Sequence, residues 1–554
     1  MPGCRPHDYK QNEPSQEYPV MTLKLLTAGI LAGLASAPAL AAGPFTFSHE
    51  WTFAHRATAL STAQGAEILA FDEEKMELWV VGTDAEAATP VGRSGIDVLA
   101  LDGSLVNSID LQALGGVNSV SISNGLAAVA ITAPVKTNPG VVSFFDTTTF
   151  ASLATVTVGA NPDSLIFTPD GSRVLVANEG EPSSYLIGPS GDPEGSISII
   201  DTSTFVASTA GFGGFDAAAL GAAGVRIFGP NATVAQDIEP EYIAVSADGT
   251  TAMATLQENN AVAIVDIASS TVTAVKALGL KDHSLPGNGI DASDRDGAGN
   301  AALNGNIRNW NVQGMYLPDT IAGFTQGGSQ FYVTANEGDA RADWEGFNEE
   351  IRIGQAAIDP ALEATMAAAH GADWRTNNDK LNRLNVSLTG DTDGDGDLDQ
   401  LLAYGGRSFS ILDANGNLVF DSGDQLEQIV FQQFPQLWDD GRSDNKGPEP
   451  EAVAIGEIGG STLMFLGLER SNAVMVWDLT DLSNVSFVDM LFTAGDVGPE
   501  GLSFFTAAGL GWLAVANEVS GTTSLYSVQP VPVPAAAWLF GSAIAALGWR
   551  RRKA

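Results

Sequence analysis

Between Phe45 and Val528 the chain repeats one hydrophobic–polar unit: an acidic residue, an alternating apolar strand, a turn, a second apolar strand, and a further acidic residue near its end. The clearest copy runs from Asn161 to Pro182, where Pro169-Asp170-Gly171 turns the chain between two strands. A second, Glu239 to Ile267, turns at Asp248-Gly249 and adds a third strand. Repeats at this spacing predict a propeller or solenoid. Seven copies begin at Glu67, Asn118, Asp163, Glu241, Asp319, Glu451 and Glu500, so the expected fold is all-β, a β-propeller of seven blades. Five copies place a second acid 16 to 18 residues later, at Glu179, Glu258, Glu337, Glu469 and Glu518, and the first two reach Thr83 and Thr132 instead. Asp201 and Asp266 suit turns that leave a third strand. Two insertions break the rhythm: Lys281 to Trp310, rich in Gly, Asn and Asp, and Arg341 to Asn382, whose Ala-rich stretch Gln355 to His370 predicts a helix or two. Both belong on the propeller's rim.

The two ends read as addresses. Residues 1–20 are polar and fit no export signal; they read as a mis-assigned or disordered leader, with Met21 as the true start. Residues 21–41 carry Lys24, an apolar run, and small residues at Ala39 and Ala41, the pattern of a secretory signal peptide. Residues 531–554 carry VPVPA, a short apolar segment to Trp549, then Arg550, Arg551, Arg552 and Lys553. This tail resembles the VPLPA variant of PEP-CTERM sorting signals, with Val533 where that motif has Leu. The resemblance implies an exosortase-type processing enzyme and a transient membrane anchor; a permanent C-terminal anchor is the other reading. Both place the body outside the inner membrane, at the outer surface or in the extracellular matrix of a Gram-negative bacterium.

Composition narrows the partners. Acidic residues outnumber basic ones 66 to 26, a formal charge of -40, which repels phosphate backbones and concentrates cations, so nucleic acid is not an expected partner. The only cysteine, Cys4, precedes the signal peptide, which removes disulfides and thiol chemistry from the mature protein.

In a propeller the first strand of each blade lines the central channel, so the recurring acids predict an inward-facing ring. Crowded carboxylates raise one another's pKa unless a cation sits among them. Arg341, Arg407, Arg442, Lys446 and Arg470 are the candidate basic partners. A divalent cation, or a ligand bridged by one, is the functional reading, against acids that merely cap strand ends. Glu239 with Glu241, and Glu449 with Glu451, would put two carboxylates on one strand face. A stronger local signal is Gly390 to Gln400: Asp391, Asp393, Asp395, Asp397 and Asp399 at alternate positions suit calcium, although position 12 is Leu402 rather than the Glu of an EF-hand. Asp291, Asp294 and Asp296 form a weaker version. The sparse histidines show no zinc spacing, and no GxSxG elbow, P-loop or dinucleotide fingerprint appears. Gly405-Gly406-Arg407 reads as a bulge between strands.

The motifs PDSLIFTPDGSRVLVANEGEP, EPEYIAVSADGTTAMATLQENNAVAIVDI, YVTANEGDARADW, GDTDGDGDLDQLLAYGGRSFSI, GPEPEAVAIGEIGG and GPEGLSF together resemble the choice-of-anchor I domain family, itself similar to mesenchyme-specific cell-surface glycoproteins of biomineralising animals. The resemblance implies an extracellular propeller without a settled reaction. Two functions follow as expectations. One is a calcium-binding, surface-anchored binding or matrix component with an unidentified cell-surface or matrix ligand. The other is a metal-dependent phosphoester hydrolase of alkaline-phosphatase or phytase type, using calcium or another divalent metal. There Glu241 and Glu451 would be ligands or catalytic groups, and Arg407 or Arg470 a phosphate clamp.

Overall fold

The computed structural model describes residues 45–55, 65–82, 94–296, 305–342 and 344–531. The leader, the signal segment, Thr83 and the tail beyond Val531 lie outside the described residues. Among the described residues no helix is long and apolar enough to cross a membrane.

Apolar runs such as Leu78–Val81 and Val174–Ala177 are fully buried. That is the signature of strands covered on both faces rather than one. They form the middle of four-stranded antiparallel sheets, whose last strands, such as Val206–Gly211, are largely exposed. Seven sheets of this kind follow one another along the chain. Sheets 1 to 4 span 69–110, 116–160, 162–211 and 240–277. Sheet 5 is assembled from Ile321–Gln326, Ser329–Asn336, Ser408–Asp413 and Leu418–Asp421, and sheet 6 spans 450–491. Sheet 7 joins Pro499–Ala507, Leu510–Asn517 and Thr522–Pro530 to the N-terminal strand Phe45–Ala54. The innermost strand of each sheet contacts that of the next, and the seventh contacts the first, so the sheets close into a ring around a channel. An apolar cluster fills each junction: Ile96 and Val129 between sheets 1 and 2, Ile199 and Ala254 between 3 and 4, Phe409 and Trp477 between 5 and 6, Leu78 and Leu525 between 7 and 1. The fold is a β-propeller.

The two inserts pair with each other. Leu280–Asp282, Gln313–Met315, Leu402–Ala403, Asn385–Ser387 and Glu350–Arg352 form one five-stranded sheet with its own core around Trp310, Met366 and Trp374. The Ala-rich stretch is a helix over Pro360–His370, capped by Asp359. Where the second insert leaves and returns, Gly338 and Gly405 face each other with positive φ; a Cβ on Gly338 would lie 2.4 Å from the Gly405 nitrogen. This neck opens beside Glu337, and Asp339 and Arg341 of the insert reach Lys446 and Glu239 there.

Candidate functional site: an acidic channel

The ring acids are placed by a local device. Five of the seven follow a proline: Pro162-Asp163, Pro240-Glu241, Pro318-Asp319, Pro450-Glu451 and Pro499-Glu500. Proline donates no ladder hydrogen bond. In four of these pairs the register slips directly after it, between Pro162 and Leu165, Pro240 and Ile243, Pro450 and Val453, and Pro499 and Gly501. Asn118 sits in the equivalent bulge between Val117 and Ser119. A bulge frees its residue from the ladder and re-aims the side chain. Hydroxyls then fix neighbouring strands at this level: Ser164 donates to the Glu241 carbonyl at 2.9 Å, Thr255 to the Asp319 carbonyl at 2.6 Å, and Thr320 to the Glu451 carbonyl.

The second acids leave the ends of the second strands. Three occur as Ala-Asn-Glu, ending in Glu179, Glu337 and Glu518. The buried asparagines tie strand two to strand three: Asn178 donates to Ser198 at 3.0 Å, Asn336 to Ser410 at 2.9 Å, and Asn517 to Thr522 at 3.2 Å. Because strands one and two are antiparallel, both tiers of acids meet at one end of the channel.

Glu67, Asn118, Asp163, Asp319 and Glu500 line a cavity of about 270 Å³. Burial, then Glu179 and Glu258, holds the Glu241 carboxyl well above its usual range. Burial, then Glu500 and Glu337, does the same at Glu451, and burial, then Glu337, at Asp319. Asp163 is pushed up to about 7 by burial and Glu181. Oxygens of Asp319, Glu337 and Glu451 lie within 4.8 Å of one another, a spacing a single cation could bridge.

Basic groups reach only part of this array. Lys446 bridges Glu337 at 2.7 Å and Asp339 at 2.8 Å, and Arg470 bridges Glu449 at 3.1 Å and Glu469 at 2.9 Å. Arg442 takes the other Glu449 oxygen at 2.5 Å, and Arg341 holds Glu239 at 3.0 Å together with Asp237. Among the described residues no lysine or arginine forms a salt bridge with Asp163, Glu241, Asp319, Glu451 or Glu500. The pairs Glu239/Glu241 and Glu449/Glu451 are therefore split. The outer member precedes the strand and turns to a base, while the inner one sits in the bulge that follows the proline, which breaks the two-residue period.

Arg407 is elsewhere. It is buried against Glu427 at 2.7 Å and donates to the carbonyls of Asp291, Ser443 and Asn445. Both terminal nitrogens of its guanidinium are occupied, and Gly405 with Arg407 forms the return from the insert into sheet 5.

The acidic loop is folded around itself. Asp391 accepts from the Gly394 and Gly396 amides at 2.7 and 2.9 Å, and Asp399 from the Thr392 amide at 2.7 Å. Oxygens of Asp391, Asp393 and Asp399 lie within 4.8 Å of one another, as do those of Asp359, Asp397 and Asp399. Asp395 joins neither trio. Asp359, the helix cap, carried no sequence signal as a ligand. In the first insert, Asp294 turns to Arg383 at 2.7 Å, and Asp291 and Asp296 meet Asp440 from a turn far along the chain. Asp201 accepts from the Ser203 and Thr204 hydroxyls and Asp266 from the Ser269 hydroxyl, with the amides of the same turns besides, which lowers their pKa. The Pro–acid and Ala-Asn-Glu signals were visible in the sequence and could have fixed the ring residues; no local signal marks Asp440.

Known proteins share this chain's pattern. The mesenchyme-specific cell surface glycoprotein of Strongylocentrotus purpuratus is 26% identical over 260 residues, 39% of this chain and 32% of that protein. Gigasin-3a of Magallana gigas is 28% identical over 193 residues, 28% of this chain and 68% of that protein. The chain thus matches about a third of the length of the first relative. Among solved structures, Kuenenia stuttgartiensis hydrazine synthase aligns at a TM-score of 0.42 and 12% identity, covering 85% of this chain and 97% of that one. The Myceliophteria thermophila Cps50 (Swd1) β-propeller domain aligns at 0.43 and 9%, covering 88% and 100%. The model of the choice-of-anchor I domain matches residues 67–482, more than half of the sequence, and the chain belongs to that family.

Proposed function

We propose that this protein is an exported, surface-associated propeller that binds calcium and serves as a binding or matrix component. The observation that carries it is the loop at Asp391–Asp399, where two carboxylate trios share Asp399 and backbone amides already orient Asp391. Hard oxygen donors at this density select calcium over softer metals. A relative named for the cell surface supports the location. On this reading the signal segment exports the chain and the tail is either removed by an exosortase-type enzyme or retained as an anchor. Calcium titration followed by thermal melting tests it: calcium should raise the melting temperature of the wild type, and no rise would refute the reading.

The Asp319–Glu337–Glu451 trio beside Lys446 favours a second reading, a metal-dependent phosphoester hydrolase. It requires turnover of a generic phosphomonoester with a divalent metal, abolished in Glu241→Gln or Glu451→Gln. Retained turnover in both variants would count decisively against it.

A further inference from the structure

Outside the channel and the acidic loop, three carboxylates meet in the interior. Asp291 and Asp296 come from the first insert, and Asp440 from the single 3₁₀ turn Asp440–Arg442, between the helix Gln425–Gln433 and sheet 6. One oxygen of each lies within 4.8 Å of the others, and all three residues are buried. Two arginines hold these segments together without neutralising Asp291 or Asp440. Arg383 spans Asp294 at 2.7 Å and Asp444 at 3.1 Å. Arg407 donates to the Asp291 carbonyl at 2.6 Å and the Ser443 carbonyl at 2.7 Å, and its charge is met by Glu427. Among the described residues no lysine or arginine forms a salt bridge with Asp291 or Asp440.

Backbone amides orient Asp291: Ser293 donates to one of its oxygens at 3.3 Å and Asn306 to the other at 3.2 Å, which leaves a lone pair on each. The Ser443 hydroxyl adds a fourth oxygen. Ser443 ends the same turn in helical conformation, its amide donating to the Asp440 carbonyl at 3.2 Å. Side chains three residues apart eclipse in a 3₁₀ turn, so Ser443 stands on the face that carries Asp440. It is 1% exposed, and its Oγ has no hydrogen-bond partner among the described residues. A buried hydroxyl left unmet is costly, and a cation held between it and the trio would satisfy it.

We propose that Asp291, Asp296, Asp440 and the Ser443 hydroxyl hold a buried structural calcium ion that fastens the first insert to the segment leading into sheet 6. Four protein oxygens, three of them from carboxylates, suit calcium, whereas magnesium keeps several waters and takes one or two carboxylates. The site goes beyond the calcium loop proposed above and shares no residue with it. Spacing in the sequence points to Asp291, Asp294 and Asp296, but Asp294 is taken by Arg383, and the remaining ligands come from the distant turn. The same segment continues through Lys446 and Glu449, so the ion also steadies the acidic end of the channel. Enclosed in this way, it exchanges slowly and is already bound in the purified protein, whereas the exposed loop takes up calcium as it is added.

Metal analysis of the full chain after gel filtration in chelator tests it. The wild type should retain one calcium ion per chain, and Asp440→Asn should retain none. Ser443→Ala should shed the ion in chelator that the wild type withstands. Once both are stripped of metal by prolonged chelation, Ser443→Ala should melt no lower than the wild type, because the hydroxyl it removes has no partner in the protein. The loop variant Asp391→Asn, Asp399→Asn should keep the retained ion. A wild type free of calcium, magnesium in its place, undiminished retention in Asp440→Asn or in Ser443→Ala, or loss of the ion from the loop variant would each overturn the proposal. Calcium then added to the gel-filtered protein tests the loop separately. No rise in melting temperature with the buried ion retained refutes only the loop reading, and a rise without a retained ion refutes only this one.

Discussion

At Asp163, burial and the neighbouring Glu181 push the carboxyl up to about 7, and at Glu469 burial does the same against the pull of Arg470. A carboxyl whose folded pKa lies above its unfolded value holds its proton longer in the folded state. Raising the pH therefore removes stability, starting near the ordinary carboxylate value of about 4 and ending as the folded pKa is passed. Without metal the protein should melt progressively lower from pH 4 to above pH 7. A cation bound in the channel should flatten that slope, which melting curves with calcium and with chelator would reveal. Arg407 gives the opposite case, a cation wholly used by the fold. Arg407→Ala strands Glu427 in the interior and should cost about 3–5 kcal/mol of stability, measured by denaturant unfolding. Its position shows the limit of sequence proximity: Arg407 lies near repeat motifs, yet Glu427 and three carbonyls, all distant in sequence, turn it away from the channel.

At the level of elements, closure of the ring depends on the first strand joining the last three. His55, just beyond Phe45–Ala54, contacts Thr523 of sheet 7 at 2.8 Å and Asp97 of sheet 1 at 2.9 Å, and Asp97 also accepts from Ser108. Hydroxyl, imidazole and carboxylate lie in the order of a hydrolytic triad, but His55, Asp97 and Thr523 are all fully buried, so no substrate reaches them. They act as a latch across the closure. His55→Ala should leave Asp97 with an unmet acceptor and cost about 1–3 kcal/mol, read as a lower melting temperature. The hydrophobic pattern made the strand pairs and their turns legible, because a strand buried on both faces must be apolar throughout and its turns need Gly and Asp. It did not show the latch, since a lone histidine before a repeat carries no periodic signal.

At the scale of the whole molecule, binding to the folded state alone stabilises by mass action, about 2.7 kcal/mol at a hundredfold excess over Kd. Asp391→Asn with Asp399→Asn should therefore remove the part of the calcium-induced rise in melting temperature that belongs to the loop. Any rise that remains would report the channel trio. The two sites separate because the loop is exposed in the insert while the trio lies in the ring.

The repeat of acid, strand, turn, strand and acid was enough to determine a β-propeller, because alternation, turn chemistry and burial are local and recur along the chain. The same repeat marked which acids belong together, since equivalent positions in equivalent sheets must share one place around the axis. Tertiary structure alone decided where each charge ends. Proline and bulge set Glu241 and Glu451 apart from Glu239 and Glu449, which go to arginines, Asp359 joins the acidic loop from a helix cap, and Asp440 meets Asp291 and Asp296 across a long stretch of chain. These outcomes depend on long-range packing and on the desolvation it imposes, and neither is written in the spacing of residues along one strand.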